Sequence, residues 1–320
     1  MSKKRNKKSV VARRNAGLGD NLLATAHAWY YASQTGRDLE ICWAPSMYFK
    51  EKTINSFGRF FEVPREIGGV KIQYEEFVKP WKRLHRRLPL FPLKLFIPSL
   101  LGETAHKILR DQTPLFIKHW MEKRRQWLTR FIESGGRARA GKVVINTHFN
   151  FLEPDKIKPF FDALRLAPKY QERLDDFRDK HFKGKKVIGV HIRYYDKSLP
   201  YSNHSPYWMK PEERFNHIKS ELRKIIKQLN TKDYVVFLAT DNEKVHDFFK
   251  TNIDHLVTYE KTFHDLSFTL ELHQKTAENA FEDDLIEMFL LAESSILYRY
   301  PPSGSWFSYY GSLYASEVVI

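Results

Sequence analysis

The side chains best suited to chemistry in this chain stand just past runs of aliphatic residues. After KVIGVHIR, residues 186–193, come Tyr194, Tyr195, Asp196 and Lys197, with His191 and Arg193 closing the run. After YVVFLAT, residues 234–240, come Asp241 and Asn242. A third run, Ser295–Tyr300, ends with Arg299 and leads into Pro301-Pro302-Ser303-Gly304-Ser305-Trp306. If these runs are strands of an open α/β sheet, ligands bind outside their carboxyl ends, where these residues lie. Arg193 and Lys197 suit a diphosphate, and arginine adds two parallel N–H donors. Asp241 can accept from a ribose or a base. Ser303, Ser305 and the amides around Gly304 can donate to phosphate oxygens. Each has a plainer reading. Asp241 can simply cap the next helix, Arg193 can pair with a carboxylate, and His191 can be an ordinary core histidine. Their joint placement at three run ends favours a ligand.

The runs are near-continuous apolar rather than alternating, which marks parallel strands covered on both faces. Helical patterns separate them: Pro211 to about Asn230, Glu243–Thr251 and Glu282–Ala292, with another strand at His255–Tyr259. Pro211 suits the first turn of its helix. The N-terminal part begins the same way. Val10–Val11 reads as a short strand and Gly17–Asp20 as a turn. A helix follows from Asn21 to Thr35, stopped by Gly36, then a strand at Leu39–Trp43. Residues 81–137 read as mostly helical, Val143–Thr147 as a strand, and Pro154–Phe182 as one or two amphipathic helices. The chain is therefore expected to be α/β, and its 320 residues suit two domains or one large one.

Other chemistries find less support. GLGDNL, residues 17–22, has Gly-x-Gly but neither the third glycine of a dinucleotide fingerprint nor a Gly-Lys-Ser/Thr. Its plainer reading is a strand-to-helix turn capped by Asp20. There is no Gly-x-Ser-x-Gly elbow and no His-Glu-x-x-His. Asp283 and Asp284 are consecutive on a helix and diverge, so they make a poor metal clamp. Cys42 is the single cysteine, which excludes an intrachain disulfide and fits a reducing compartment. The formal charge of +15 attracts polyanions, and it is concentrated in Met1–Arg14 and Lys79–Lys94. No apolar run reaches the roughly 18 residues of a membrane span. Leu88–Leu101 comes nearest, but three prolines and Lys94 interrupt it, and it reads as a buried connector. The N-terminus lacks the apolar core of a signal peptide.

Three C-terminal blocks, VIGVHIRYYDK (187–197), VVFLATDNEKV (235–245) and DLIEMFLLAESSILYRYPPSGSW (284–306), resemble the nodulation-protein-Z type of α-1,6-fucosyltransferase. GLGDNL, AWYYASQTGRDLEICWAPSMY and NSFGRFFE followed by IGGV extend the resemblance through most of the chain. It implies a GT-B type fold, with two Rossmann-like domains facing a cleft. It also implies an inverting, metal-independent fucosyltransferase with GDP-fucose as donor substrate and no cofactor. The acceptor would be an oligosaccharide or glycolipid, with a 6-hydroxyl of N-acetylglucosamine as the attacking group. On this resemblance Arg193 holds the β-phosphate and stabilises departing GDP, and Asp241 reads the nucleoside. Ser303 and Ser305 contact phosphate, and Glu287 falls where the family places an acidic residue.

Two departures follow. Tyr194 stands where animal relatives have a second arginine, which leaves Lys197 or Arg299 to assist. No glutamate follows Asp196 and Lys197 until Glu212, so the base is sought in His204, with an intrinsic pKa suited to the task, or in Asp20. The expected division is a basic tail at 1–15, an acceptor-side domain at 16–183, a GDP-sugar domain at 184–300 and a segment completing the donor site at 301–320. The expected location is cytoplasmic, with the basic segments available for peripheral contact at the inner membrane face and no nucleic-acid partner. The competing readings are another nucleotide sugar on the same fold, or a basic nucleic-acid- or membrane-binding module.

Overall fold

The computed structural model describes residues 8–14, 16–44, 53–77, 126, 130, 142–145, 152–193, 211–263, 277–300 and 306–319. Two five-stranded sheets organise them. The N-terminal sheet contains β1 (Ser9–Ala12), β2 (Asp38–Ile41), β4 (Glu66–Ile67), β5 (Val70–Gln73) and β6 (Lys142–Ile145), in the order β4-β5-β2-β1-β6. All of its pairings are parallel except the β4–β5 hairpin. That hairpin turns at Gly68 and Gly69, whose φ values of 56° and 79° suit a two-residue turn with both central residues left-handed. A separate antiparallel pair joins β3 (Phe61–Glu62) to β7 (Arg165–Leu166). The C-terminal sheet contains β8 (Lys186–Ile192), β9 (Tyr234–Thr240), β10 (Leu256–Thr258), β11 (Ile296–Tyr300) and β12 (Glu317–Val319). It is parallel throughout, in the order β10-β9-β8-β11-β12.

Eight helices complete the described residues: α1 (Leu18–Thr35), α2 (Phe57–Phe60), α3 (Pro154–Ala163), α4 (Pro168–His181), α5 (Pro211–Gln228), α6 (Glu243–Asn252), α7 (Ala277–Ala292) and α8 (Trp306–Ser312). α1 starts three residues earlier than the sequence implies. Gly17 is its N-cap and Asp20 lies in its first turn, so the expected Asp20 cap is not formed. Its C-cap, Gly36, takes the left-handed φ of 60° that lets the chain leave the helix. Ser9–Ala12, inside the span that charge alone marks as a basic tail, is an inner strand of the N-terminal sheet. Val10, Val11 and Ala12 are buried there. The expected helices over 81–137 and the connector Leu88–Leu101 lie outside the described residues, apart from helical positions 126 and 130.

One core joins the two sheets. α7 carries apolar residues around most of its circumference, the pattern of a helix buried on several sides. Phe281, Leu285, Ile286, Met288, Leu290 and Leu291 are all buried. Phe281 meets Phe60 at 4.3 Å, while Phe289 meets Phe61 at 6.2 Å and Tyr310 of α8 at 4.7 Å. Tyr310 also meets Phe161 of α3 at 5.6 Å. α4 approaches the C-terminal sheet through Phe177, 5.6 Å from Phe237. It is tied to α7 by Arg173, which reaches Glu282 at 3.2 Å and Asp283 at 2.7 Å. Asp284 turns instead toward Lys261, so the consecutive carboxylates diverge as helical geometry requires.

α7 approaches β8 closely because Gly189 has no side chain. A Cβ there would stand 2.1 Å from Ser294 Oγ, 2.9 Å from Ser294 Cβ and 3.3 Å from Leu291 Cδ2. Gly189→Ala is therefore expected to destabilise the fold by about 1–3 kcal/mol through overpacking. Adding Ser294→Gly should restore much of that loss. Urea midpoints of the single and double variants check this; equal midpoints for both would show that the contact does not limit packing.

Candidate functional site

Strand order locates the site. From β8 the chain winds outward through β9 to β10, then returns on the other side of β8 to form β11. The crevice between β8 and β11 is thus a topological switch point, the place where open α/β sheets bind ligands. Arg193 sits at its mouth, its N–H donating to Tyr300 O at 2.8 Å.

Strand periodicity then selects the face. Ile188, Val190 and Ile192 enter one core cluster with Val236, Leu238, Ile296, Tyr298 and Tyr300. Alternate residues point to the opposite face. There Gly189 touches α7, Leu297 joins the core shared with α7, and His191 stacks on Phe307 of α8, with centroids 5.2 Å apart and planes 28° apart. His191 is level with Ala239 on β9 and with Arg299 on β11. Two residues further along, the same register sets Arg193 beside Asp241. Their ion pair measures 3.0 Å between Nε and Oδ2. Arg299 donates from Nε to Ser308 Oγ at 3.0 Å, which seats the first turn of α8.

Asp241 therefore does not cap α6. Asn242 does so, its side chain accepting from Val245 N at 3.2 Å. The buried acid of the site is Glu287 on α7, 2% exposed. Its partner, Lys261, lies past β10, with Nζ 2.5 Å from Glu287 Oε2 and 4.0 Å from Asp284 Oδ1. The sequence reading omitted Lys261, although it obeys the same strand-end rule as Arg193 and Asp241. Phe307 and Ser308 were also missed; no spacing signal marks them, because tertiary packing brings them to the sheet.

The structure thus gathers His191, Arg193, Asp241, Arg299 and Glu287 on one face. Asp20 lies in the first turn of α1 in the N-terminal half, where its Oδ1 is 3.5 Å from Nη2 of the buried Arg14. Asp196, Lys197, His204, Ser303, Gly304 and Ser305 lie outside the described residues. Among the described residues no group of three or more His, Cys, Asp or Glu is placed to hold a metal ion.

Burial penalises charge at this edge. Burial first, then the charges of Arg193, Arg299 and Lys261, hold the His191 imidazole well below its usual pKa. Burial also drives the Glu287 carboxyl upward, and the Lys261 ammonium opposes it. Burial acts against the Lys261 charge too, but Glu287, Asp284 and Asp241 outweigh it and raise its pKa.

The His191 shift carries a stability consequence. Its folded pKa lies below the unfolded value of about 6.5. Its contribution to stability is complete above that pH and is lost as pH falls toward the folded value, because only the unfolded chain gains a proton. The loss approaches about 1.4 kcal/mol per pH unit. His191→Phe should remove this dependence. Between pH 7.5 and 5, urea midpoints of the variant should therefore gain on those of the wild type; parallel curves would contradict a neutral buried imidazole.

The chain matches the family Nodulation protein Z (NodZ) over residues 6–320. Nodulation protein Z of Bradyrhizobium diazoefficiens is 28% identical over 318 residues, covering 98% of this chain and 81% of that protein. The Azorhizobium caulinodans protein is 28% identical over 313 residues, covering 97% and 90%. A NodZ α-1,6-fucosyltransferase crystal structure, soaked with GDP-fucose, aligns with a TM-score of 0.69 at 26% identity, covering 98% of this chain and 94% of that one. An Arabidopsis thaliana FUT1 mutant in complex with GDP shares the fold, with a TM-score of 0.52 at 15% identity over 98% of this chain and 69% of that one. The two parallel-sheet halves have the GT-B architecture of these fucosyltransferases. The chain belongs to the Nodulation protein Z family and is a fucosyltransferase.

Proposed function

We propose that this enzyme moves fucose from GDP-fucose to the 6-hydroxyl of an N-acetylglucosamine in an oligosaccharide or glycolipid, with inversion and without a metal. One observation carries the reading: Arg193 and Asp241 form a 3.0 Å pair at the switch point, a cation for diphosphate beside an acceptor for the nucleoside. A relative whose structure was determined after soaking with GDP-fucose supports the donor. In this proposal residues 184–300 bind GDP-sugar, 301–320 complete that site, and 16–183 present the acceptor.

In the reaction, the acceptor hydroxyl oxygen forms a bond to the anomeric carbon as the bond from that carbon to the β-phosphate oxygen breaks. GDP leaves with the bonding pair, and the hydroxyl proton passes to a base. Arg193 neutralises the negative charge developing on the β-phosphate, the role a metal ion would otherwise play. Arg299 and Lys197 supply further positive charge in place of the family's second arginine. His191, Asn242 and Glu287 line the donor, and Ser303, Gly304 and Ser305 contact its phosphates. Asp196 is a further catalytic candidate beside Lys197. Asp20 and His204 are the two candidate bases.

Calorimetry with GDP, GDP-fucose, GDP-mannose and UDP sugars tests the donor. GDP and GDP-fucose should bind, and failure of GDP to bind overturns the reading. Arg193→Ala should lower kcat by about 100-fold or more, the scale set by loss of one preorganised charge-stabilising group. Its circular dichroism spectrum should stay native. Near-normal turnover would remove Arg193 from its role.

A further inference from the structure

Arg14 and Asp20 form a second arginine–acid pair at the carboxyl end of a central parallel strand, and the reaction above gives Arg14 no task. The Arg14 side chain is 4% exposed and that of Asp20 25%, with 3.5 Å between Nη2 and Oδ1. A guanidinium this deep is costly unless an acid meets it. Burial disfavours its charge, and Asp20 opposes that effect. Arg13, Glu40 and Lys142 act instead around Cys42, on the opposite face of the sheet. Asp20 also lies in the first turn of α1, where the helix amides favour a negative charge. Asn21, itself buried, braces the approach to that turn through Nδ2, which donates to Ala16 O at 3.0 Å. Two packing relations turn the pair toward the donor edge. Val10 and Ala12, on the face that Arg14 continues, enter the same core as Val187, on the face of His191 and Arg193. Within that core α1 packs on α8, which carries Phe307, stacked on His191, and Ser308, held by Arg299.

We infer that Arg14 is a positioning residue of the transfer reaction, holding Asp20 as the ionised base that receives the proton of the acceptor hydroxyl. This role rests on the fucosyl-transfer reading above and decides between its two bases. The hydroxyl oxygen bonds to the anomeric carbon as GDP departs with the bonding pair. That oxygen then carries an oxonium proton, which is strongly acidic. The proton passes to Asp20, leaving a neutral glycosidic oxygen and a protonated carboxyl that later returns the proton to solvent. Such a proton needs a carboxylate in the right place more than it needs a strong base. Arg14 fixes the place from beneath, while the partly open carboxylate faces outward.

Transfer from GDP-fucose to a tetramer of N-acetylglucosamine, followed as GDP release from pH 4 to 8, tests this in the wild type, Asp20→Asn, Arg14→Met, Arg14→Lys and the Arg14→Met/Asp20→Asn double variant. Asp20→Asn should lower kcat by about 100-fold or more, the scale of a lost general base. Arg14→Met should lower kcat about 10-fold with little change in KM. The acid limb of its kcat/KM should move up by about one pH unit or more, because a carboxylate that loses a neighbouring cation holds its proton to higher pH. Arg14→Lys should keep the acid limb of the wild type, since it keeps the charge. On the Asp20→Asn background, Arg14→Met should have no further effect. GDP affinity, measured by calorimetry, should match the wild type in every variant, because the pair belongs to the other half. Near-normal turnover by Asp20→Asn leaves the proton to His204 and overturns the inference. An unmoved acid limb in Arg14→Met, or a further loss in the double variant, overturns the role of Arg14 while leaving the donor reading intact. Absence of GDP binding by the wild type overturns the donor reading itself, and a wild type that binds GDP without transferring to the tetramer overturns the acceptor reading and this inference with it. If Arg14→Met does not fold, Arg14→Gln, which drops the charge and keeps an N–H donor, takes its place in the same comparison.

Discussion

The register between β8 and β9 is the constraint on which the site depends. Val187 pairs with Val235 and His191 with Ala239, so Arg193 and Asp241 arrive together just past the ladder. A slip of one residue would send Asp241 to the opposite face and leave Arg193 without this carboxylate. The register is well specified because both faces are buried. Ile188, Val190, Val236 and Leu238 fill one core, while Val187, Val235, Phe237 and Ala239 enter the other. Two hydrophobic cores thereby fix the position of two charges that belong to neither.

Those charges impose a second demand. Near the buried end of a sheet, a charge must meet its opposite or lose its proton. Arg193 meets Asp241, and Lys261 meets Glu287. His191, with cations around it, takes the other course and stays neutral. Its ring then behaves as an aromatic surface against which Phe307 stacks. The same contact helps seat α8, which Arg299 also holds through Ser308. Tyr310 in turn packs against α3 and α7. This edge of the C-terminal sheet is therefore mechanically continuous with the core shared by both halves.

Much of this was legible before the structure. β8, β9 and β11 follow from near-continuous apolar runs, and Gly36 marks the end of α1 to the residue. Arg193 and Asp241 follow from the strand-end rule. Other features had no local signal. β3 and β7 are two residues each and exist because Phe61 and Leu166, far apart in sequence, pair across the chain. β12 extends its sheet with three residues near the chain's end, two of them exposed. α8 is aromatic-rich and lacks an amphipathic pattern; its packing partners on α1 and α7 make it a helix. Lys261 is different: the strand-end rule covers it, but its partner lies 26 residues further on, in a helix whose sequence reads as apolar core.

The N-terminal half repeats part of this design, and the difference explains why its charged pair is harder to read from the sequence. Its strand order also reverses at a central strand, with β2 and β6 flanking β1. Arg13 donates its backbone N–H to Ile145 O there, as Arg193 does to Tyr300 O in the other half. Arg14 lies two residues past β1, alternating onto the face of Val10 and Ala12, and like Arg193 it stands beside an acid, though far more buried, 4% against 35% exposed. That acid, Asp20, comes from the first turn of the following helix rather than from a neighbouring strand. A pair six residues apart looks in sequence like an ordinary turn, whereas a pair set by the ladder of two long apolar strands announces both partners.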